Sequence, residues 1–129
     1  MNVPSPIVAR NVFGEPLVPC SFDPMTGYFR DGCCKTCDDD IGNHVVCAVM
    51  NPTFLMFSEA SGNDLSSVRP GFPGLKPGDQ WCLCASRWVE AWRAGMAPQI
   101  VLESTNQEVL SVISMEVLKR HAYKQEQDC

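Results

Sequence analysis

The segment His44-Val-Val-Cys-Ala-Val-Met50 is a short apolar run rich in valine, and the rest of the fold can be placed around it. Such a run, bounded by turn-forming residues, predicts a buried strand. Asn51-Pro52 ends this strand. Residues 53–61 then predict a helix, because Phe54 and Phe57 recur at helical spacing ahead of a glycine.

The chain beyond this unit alternates a loop, strands and helices. Residues 62–79 are rich in glycine and proline and predict an irregular loop. Strands are predicted at 80–85, 99–104 and 108–113. Two further helices are predicted, one after Ser86 as its N-cap and one after Ser114.

This order lacks regular βαβ spacing and predicts an α+β fold. We expect a small, mostly antiparallel sheet with two to three short helices and long irregular loops rich in glycine and proline. The domain organisation follows from the same pattern. We expect residues 1–10 to form a flexible lead-in, 11–122 a single globular domain and 123–129 a frayed tail.

Composition and charge narrow the function classes. The 129 residues are 45% hydrophobic, and 10 basic against 15 acidic residues give a net charge of −5. Scattered basic residues without a basic patch argue against nucleic-acid binding and against an acidic membrane surface. No apolar stretch is long enough to span a bilayer. The N-terminus lacks a secretory signal pattern, so we expect a cytoplasmic protein with reduced cysteines.

Several long strings of the sequence are similar to one family. They are Asn11-Val-Phe-Gly-Glu-Pro-Leu17, Thr26-Gly-Tyr-Phe-Arg-Asp-Gly-Cys-Cys34, His44-Val-Val-Cys-Ala-Val-Met50, Gly62-Asn-Asp-Leu65, Gly71-Phe-Pro-Gly-Leu-Lys-Pro-Gly-Asp79 and Trp81-Cys-Leu-Cys-Ala85. Over residues 11–122 the chain resembles the domain-of-unknown-function 2237 family of small bacterial proteins. The resemblance implies a stand-alone cytosolic domain and brings no activity with it. It implies that most of the cysteines belong to the family pattern, whereas Cys37 and Cys129 depart from it.

Seven of the eight cysteines lie between positions 20 and 84, and they are the most informative feature of the sequence. Reduced cysteines from several segments can bind a thiophilic metal such as zinc, or a small ligand. The candidate metal ligands are Cys33, Cys34, Cys47, Cys82 and Cys84, with His44 as a weaker candidate. Cys20 is expected to be a packed bystander. The leading hypothesis is therefore a non-enzymatic domain that binds such a metal or ligand at a pocket lined by cysteines.

The spacing of these cysteines predicts how the side chains of two close pairs are oriented. Cys82 and Cys84 are two apart in a predicted strand and should share a face, leaving the other face to Trp81 and Leu83. Cys33 and Cys34 are expected to be free thiols, one pointing inward and one outward.

Two alternatives stay open beside the metal site. One is a thiol-dependent enzyme or redox protein, for which His44 is the best base that the sequence offers. On this reading the reactive thiol is expected among Cys33, Cys34 and Cys47, and no catalytic residue is assigned. The other is a protein-interaction module whose cysteines are buried for structural reasons. The acidic run Asp38-Asp39-Asp40 is expected to be a solvated turn.

Overall fold

The computed structural model describes residues 9–124. The predicted lead-in and tail lie almost wholly outside the described residues. Within the described part of the chain, no helix is long and apolar enough to cross a membrane.

The predicted strand at 44–50 lies at the centre of a three-stranded antiparallel sheet. Its strands are β1 (Val46–Val49), β2 (Gln80–Leu83) and β3 (Gln99–Ile100), in the order β2-β1-β3. In the register of β1 with β2, Cys47 lies directly opposite Cys82. Together with three α-helices, this sheet confirms the predicted α+β class.

The three α-helices follow the predicted positions. They are α1 (Pro52–Ala60), α2 (Ala85–Arg93) and α3 (Met115–Arg120). Ser114 caps α3 as predicted, because its hydroxyl accepts a hydrogen bond from the Val117 amide. The cap of α2 differs from the prediction, because Cys84 and not Ser86 occupies that position.

The fourth strand predicted at 108–113 is wrong. Residues Gln107–Ser111 form a 3₁₀ helix, and a second short one spans Leu102–Ser104. Val109 and Ile113 are buried while Leu110 and Val112 are exposed. Ser111 is exposed as well, whereas a strand that buries Val109 and Ile113 would also bury the residue midway between them. The Asn106 side chain caps the segment by accepting a hydrogen bond from the Glu108 amide.

The two faces of the sheet pack against different partners. Trp81 and Leu83 of β2 belong to the main apolar core, as predicted, and the three α-helices contribute Phe54, Trp88 and Leu118 to it. On the other face, Cys47 and Cys82 pack in a smaller cluster with Cys20 and Cys34. All four cysteines are buried: Cys20 is 4% exposed, Cys34 and Cys47 are 0% exposed and Cys82 is 1% exposed.

The expectation that the cysteines stay reduced is wrong for this cluster. Cys20 is bonded to Cys47 and Cys34 to Cys82, with Cα–Cα distances of 5.7 and 5.2 Å. Each disulfide joins the irregular segment before β1 (residues 9–45) to one of the paired strands β1 and β2. We call these four residues the disulfide cluster. Which sulfurs meet depends on the path of that segment, and the cellular compartment expected from the N-terminal sequence does not reveal that path.

Candidate active site

Cys84 lies where β2 gives way to α2. The strand ends at Leu83, so the alternation that would place Cys84 beside Cys82 on one sheet face stops before it. Cys84 instead occupies the N-cap position of α2, and its side chain makes no capping hydrogen bond. The Cys84 thiol is therefore half-buried, not part of a disulfide, and close to the positive end of the α2 helix dipole.

A loop before β1 brings His44 to the same place. The carbonyl of Asn43 accepts a hydrogen bond of 3.1 Å from the Ala85 amide, which fastens this loop to the start of α2. Asn43 has a φ of 53°, a left-handed conformation that asparagine adopts more readily than most residues. The loop thus turns sharply and presents the His44 ring next to Cys84.

Asp40 holds the far side of that ring. Its Oδ1 lies 2.6 Å from His44 Nδ1, and its Oδ2 accepts a hydrogen bond of 2.9 Å from the His44 amide. Thr36 Oγ1 donates a third, of 3.1 Å, to Oδ2. Burial acts to raise the pKa of Asp40, but the hydrogen bonds and charge of His44 outweigh it, and the pKa of this carboxyl is lowered. Asp40 is therefore a carboxylate whose side chain is fully buried, not part of a solvated turn as predicted.

The other side of the ring faces the Cys84 sulfur across Gly42. A Cβ atom built on Gly42 would lie 3.0 Å from Cys84 Sγ and 3.2 Å from His44 Nε2, so only glycine leaves room between the loop and this pair. The largest influence on the pKa of His44 is hydrogen bonding to Cys84. Together with Asp40, and against the effect of burial, it raises the pKa of His44 to about 9. At neutral pH His44 is thus an imidazolium between a sulfur atom and a carboxylate.

The Cys84 and His44 side chains line a cavity of about 350 Å³. Its other walls come from the irregular segment, the glycine- and proline-rich loop and β2, through Gly27, Tyr28, Arg30, Asn63, Leu65, Arg69, Phe72, Trp81, Cys82 and Leu83. Tyr28 stacks beside the His44 ring, with centroids 6.3 Å apart. Asp40 is not among the lining residues, so the cavity meets the thiol and imidazole while the carboxylate lies behind them.

The structure divides five of the six predicted metal ligands between two places. Cys34, Cys47 and Cys82 lie in the disulfide cluster, and the sulfurs of Cys20, Cys34 and Cys47 all lie within 4.8 Å of one another. Cys84 and His44 lie at the cavity. That these residues together bind one metal ion remains a prediction.

The vicinal pair Cys33-Cys34 points one side chain inward and one outward, as predicted. Cys34 is buried and disulfide-bonded, whereas Cys33 is a half-exposed free thiol. Burial and the Asp31 carboxylate raise the pKa of Cys33, which disfavours its thiolate. Neither Cys33 nor the exposed Cys37 is placed in the cavity with His44.

The sequence predicted Cys84 as a metal ligand and His44 as a weaker ligand or a base, and Asp40 was missed. The signal was the i, i+4 spacing of Asp40 and His44 across a turn containing Gly42 and Asn43. That spacing suits a carboxylate reaching back to an imidazole only if the turn closes tightly. Such closure could not be read from three consecutive aspartates.

Comparison with known proteins gives a family and no activity. The family model described as "Uncharacterized protein conserved in bacteria (DUF2237)" matches residues 10–122. A comparison with curated proteins gave no match.

Proposed function

Because the chain belongs to the DUF2237 family, which carries no assigned chemistry, we propose a function from the site itself: a thiol-dependent enzyme with Cys84 as its nucleophile. The observation that carries the proposal is the series Cys84–His44–Asp40, in which the Cys84 sulfur and the buried Asp40 carboxylate flank the His44 imidazole beside a cavity. A cysteine nucleophile, an adjacent base and a third group that orients the base form a recurrent catalytic arrangement. This reverses the order suggested by the sequence, which favoured a non-enzymatic domain.

The arrangement suits acyl transfer or hydrolysis. Cys84 loses its proton to water, and the thiolate, paired with the protonated His44, attacks a carbonyl carbon to form a tetrahedral adduct. The adduct collapses to a thioester on Sγ as the leaving group departs with the proton held by His44. Water then attacks the thioester, His44 accepts a proton from that water, and Cys84 regains a proton when the carboxylic acid leaves. Asp40 holds the ring orientation throughout and is a positioning residue.

Two measurements on the full chain test this proposal. With p-nitrophenyl acetate we expect a burst of about one equivalent of p-nitrophenolate per chain and an acetyl group on Cys84, detected by peptide mass spectrometry. With iodoacetamide at neutral pH we expect Cys84 to react at least about tenfold faster than the exposed Cys37.

Substitutions separate the roles of the residues. Cys84→Ser should abolish the burst, His44→Gln should lower the alkylation rate of Cys84 about tenfold or more, and Asp40→Asn should lower it less. Cys37→Ser is the matched control and should change nothing. A Cys84 that alkylates no faster than Cys37 in the folded protein would contradict the proposal.

A second candidate function rests on the disulfide cluster. Three of its sulfurs lie within 4.8 Å of one another, a separation that allows them to bind one ion. Reduction of both disulfides by a dithiol would consume four electrons and four protons and release four buried thiols. In that state the cluster would offer a thiophilic metal the ligands that the sequence predicts, apart from Cys33, Cys84 and His44.

Metal analysis distinguishes the two states of the cluster. We expect about one zinc per chain after reduction and none bound to the oxidised protein, because disulfide sulfurs are not thiolate ligands. Absence of zinc from the reduced, still folded chain would remove this candidate.

The cellular compartment bears on the same cysteines. Cytoplasmic location stays a prediction, and buried disulfides favour an oxidising environment instead. Trapping thiols in intact bacteria with an alkylating agent, followed by mass spectrometry of Cys20 and Cys34, would give their redox state in the cell.

A further inference from the structure

Stacked arginine and aromatic side chains form one wall of the cavity. The Arg30 guanidinium carbon lies 5.2 Å from the centroid of the Trp81 ring, and that of Arg69 lies 4.9 Å from the centroid of Phe72. Phe72 and Trp81 meet edge to face, with centroids 5.4 Å apart. We call these four residues the arginine–aromatic wall. Stacking on a ring holds a guanidinium in place while its N–H groups stay free to bind a ligand.

The charge of the cavity is opposite to that of the protein. The chain carries a net charge of −5, yet none of the described lining residues is acidic and two are arginines. Among the ion pairs within residues 9–124, none involves Arg30 or Arg69. Positive groups that line a cleft without carboxylate partners concentrate anions there.

The groups close to Arg30 and Arg69 leave the positive charge of these arginines unpaired. Asp64 is the acidic group close to Arg69, but its carboxylate accepts hydrogen bonds from the Ser66 and Ser67 amides at 3.0 and 3.2 Å. Arg30 donates one hydrogen bond, of 3.2 Å, to the Gly27 carbonyl, which leaves its other N–H groups for a ligand. The backbone of Arg30 is left-handed, with a φ of 55°, a conformation that a bulky residue adopts only when its surroundings hold it there.

We infer that the substrate of the Cys84 site is a small molecule bearing a negatively charged group, such as a carboxylate, which Arg30 and Arg69 bind while Cys84 attacks its electrophilic carbon. This inference rests on the function proposed above. A cavity of about 350 Å³ is at the small end of ligand sites, which limits the substrate to a compact molecule. The aromatic rings between the two arginines offer a flat apolar surface to the remainder of the substrate.

Two alkylating agents of the same shape test the charge preference. In both reactions the Cys84 thiolate displaces iodide from a methylene carbon, and the thiol proton passes to the buffer. Iodoacetate carries a carboxylate, whereas iodoacetamide carries a neutral amide. We expect the ratio of the iodoacetate rate to the iodoacetamide rate at Cys84 to exceed that of N-acetylcysteine by about tenfold, and high salt to reduce the excess.

The matched variants remove equal charge in different places. Arg30→Gln/Arg69→Gln should bring the ratio down to that of N-acetylcysteine, because the ratio cancels any change in the reactivity of the thiolate itself. Arg93→Gln/Arg120→Gln loses the same two charges on exposed helix positions and should keep the preference.

The outcomes separate this inference from the proposed function. A fast iodoacetamide reaction with no preference for iodoacetate, or a preference that survives in Arg30→Gln/Arg69→Gln, would overturn the anionic substrate alone. A slow reaction of Cys84 with both reagents would overturn the nucleophile itself.

Discussion

At the scale of single residues, the site depends on one histidine held between two unlike partners. Asp40 is buried and accepts hydrogen bonds from both the ring and the amide of His44. Cys84 lies on the accessible side, where it can exchange a proton with the ring. A buried carboxylate that already has its partners orients the imidazole without taking its proton.

Removing the sulfur should change the titration of His44. Hydrogen bonding to Cys84 is the largest influence that favours the charged ring, so Cys84→Ala should lower the pKa of His44 from about 9 towards its ordinary value of 6.5. The imidazolium then loses its proton at a lower pH. Titrating the ring proton signals by NMR measures the change, with Cys37→Ala as the matched control. An unchanged pKa in Cys84→Ala would show that sulfur and ring do not interact.

Gly42 should be intolerant of a side chain for reasons of space. Its alanine methyl would lie 2.8 Å from His44 Cε1 and 3.0 Å from Cys84 Sγ, which forces the pair apart. We expect Gly42→Ala to slow the reaction of Cys84 with iodoacetamide about tenfold, because the thiolate loses its stabilising imidazolium. Near-ultraviolet circular dichroism should show that the fold persists. A folded Gly42→Ala protein with the original rate would contradict the geometry.

At the scale of elements, the residues of the site lie at the junctions between elements, and the regular segments hold these junctions in position. The central strand and the three α-helices were predictable, because apolar spacing and capping residues are local properties. The junction of β2 with α2 was predictable only in part. The strand was expected to run through Cys84, yet Cys84 becomes the helix cap and leaves the sheet face. Where a strand stops depends on its neighbour, and β1 pairs with β2 only as far as Leu83.

The N-cap of α1 can be tested directly by substitution. Asn51 precedes α1, and its side chain accepts a hydrogen bond of 2.7 Å from the Phe54 amide. Asn51→Ala should therefore lower the free energy of unfolding by about 1 kcal/mol, measured by urea denaturation. Met56→Ala, at an exposed position of the same helix, is the control and should change it by less than about 0.5 kcal/mol. Equal effects of the two substitutions would show that the cap contributes nothing.

At the scale of the whole molecule, the irregular segment before β1 is held to the sheet by covalent and polar contacts together. Thr26 of this segment is fully buried, and its hydroxyl accepts a hydrogen bond from the Cys82 amide. Thr105, which follows β3, is also fully buried and accepts one from the Cys47 amide. These contacts join segments far apart in the chain, so no local pattern announces them. The sequence showed that the cysteines matter, but their pairing follows from the path of a segment without regular structure.

The two disulfides should contribute strongly and separately to stability. Their sequence separations of 27 and 48 residues correspond to about 3.5 and 4 kcal/mol in a chain-entropy estimate. Cys20→Ala/Cys47→Ala and Cys34→Ala/Cys82→Ala should each lower the free energy of unfolding by about that amount in urea denaturation. Cys33→Ala/Cys37→Ala is the matched control and should leave it nearly unchanged. Losses below about 1 kcal/mol for both pairs would mean that the bonds do not constrain the unfolded chain.

The Cys34–Cys82 bond also bears on how the protein is handled in the laboratory. Cys82 lines the cavity, and Gly27, Tyr28 and Arg30 come from the segment that this bond secures. Reducing agents are routinely added to keep a reactive thiol such as Cys84 from oxidising. Here the same reagents act against the bond that secures one wall of the cavity. Purification without reductant and purification with it would yield two different preparations, and only a mild reductant that spares buried disulfides would preserve both the thiol and the cavity around it.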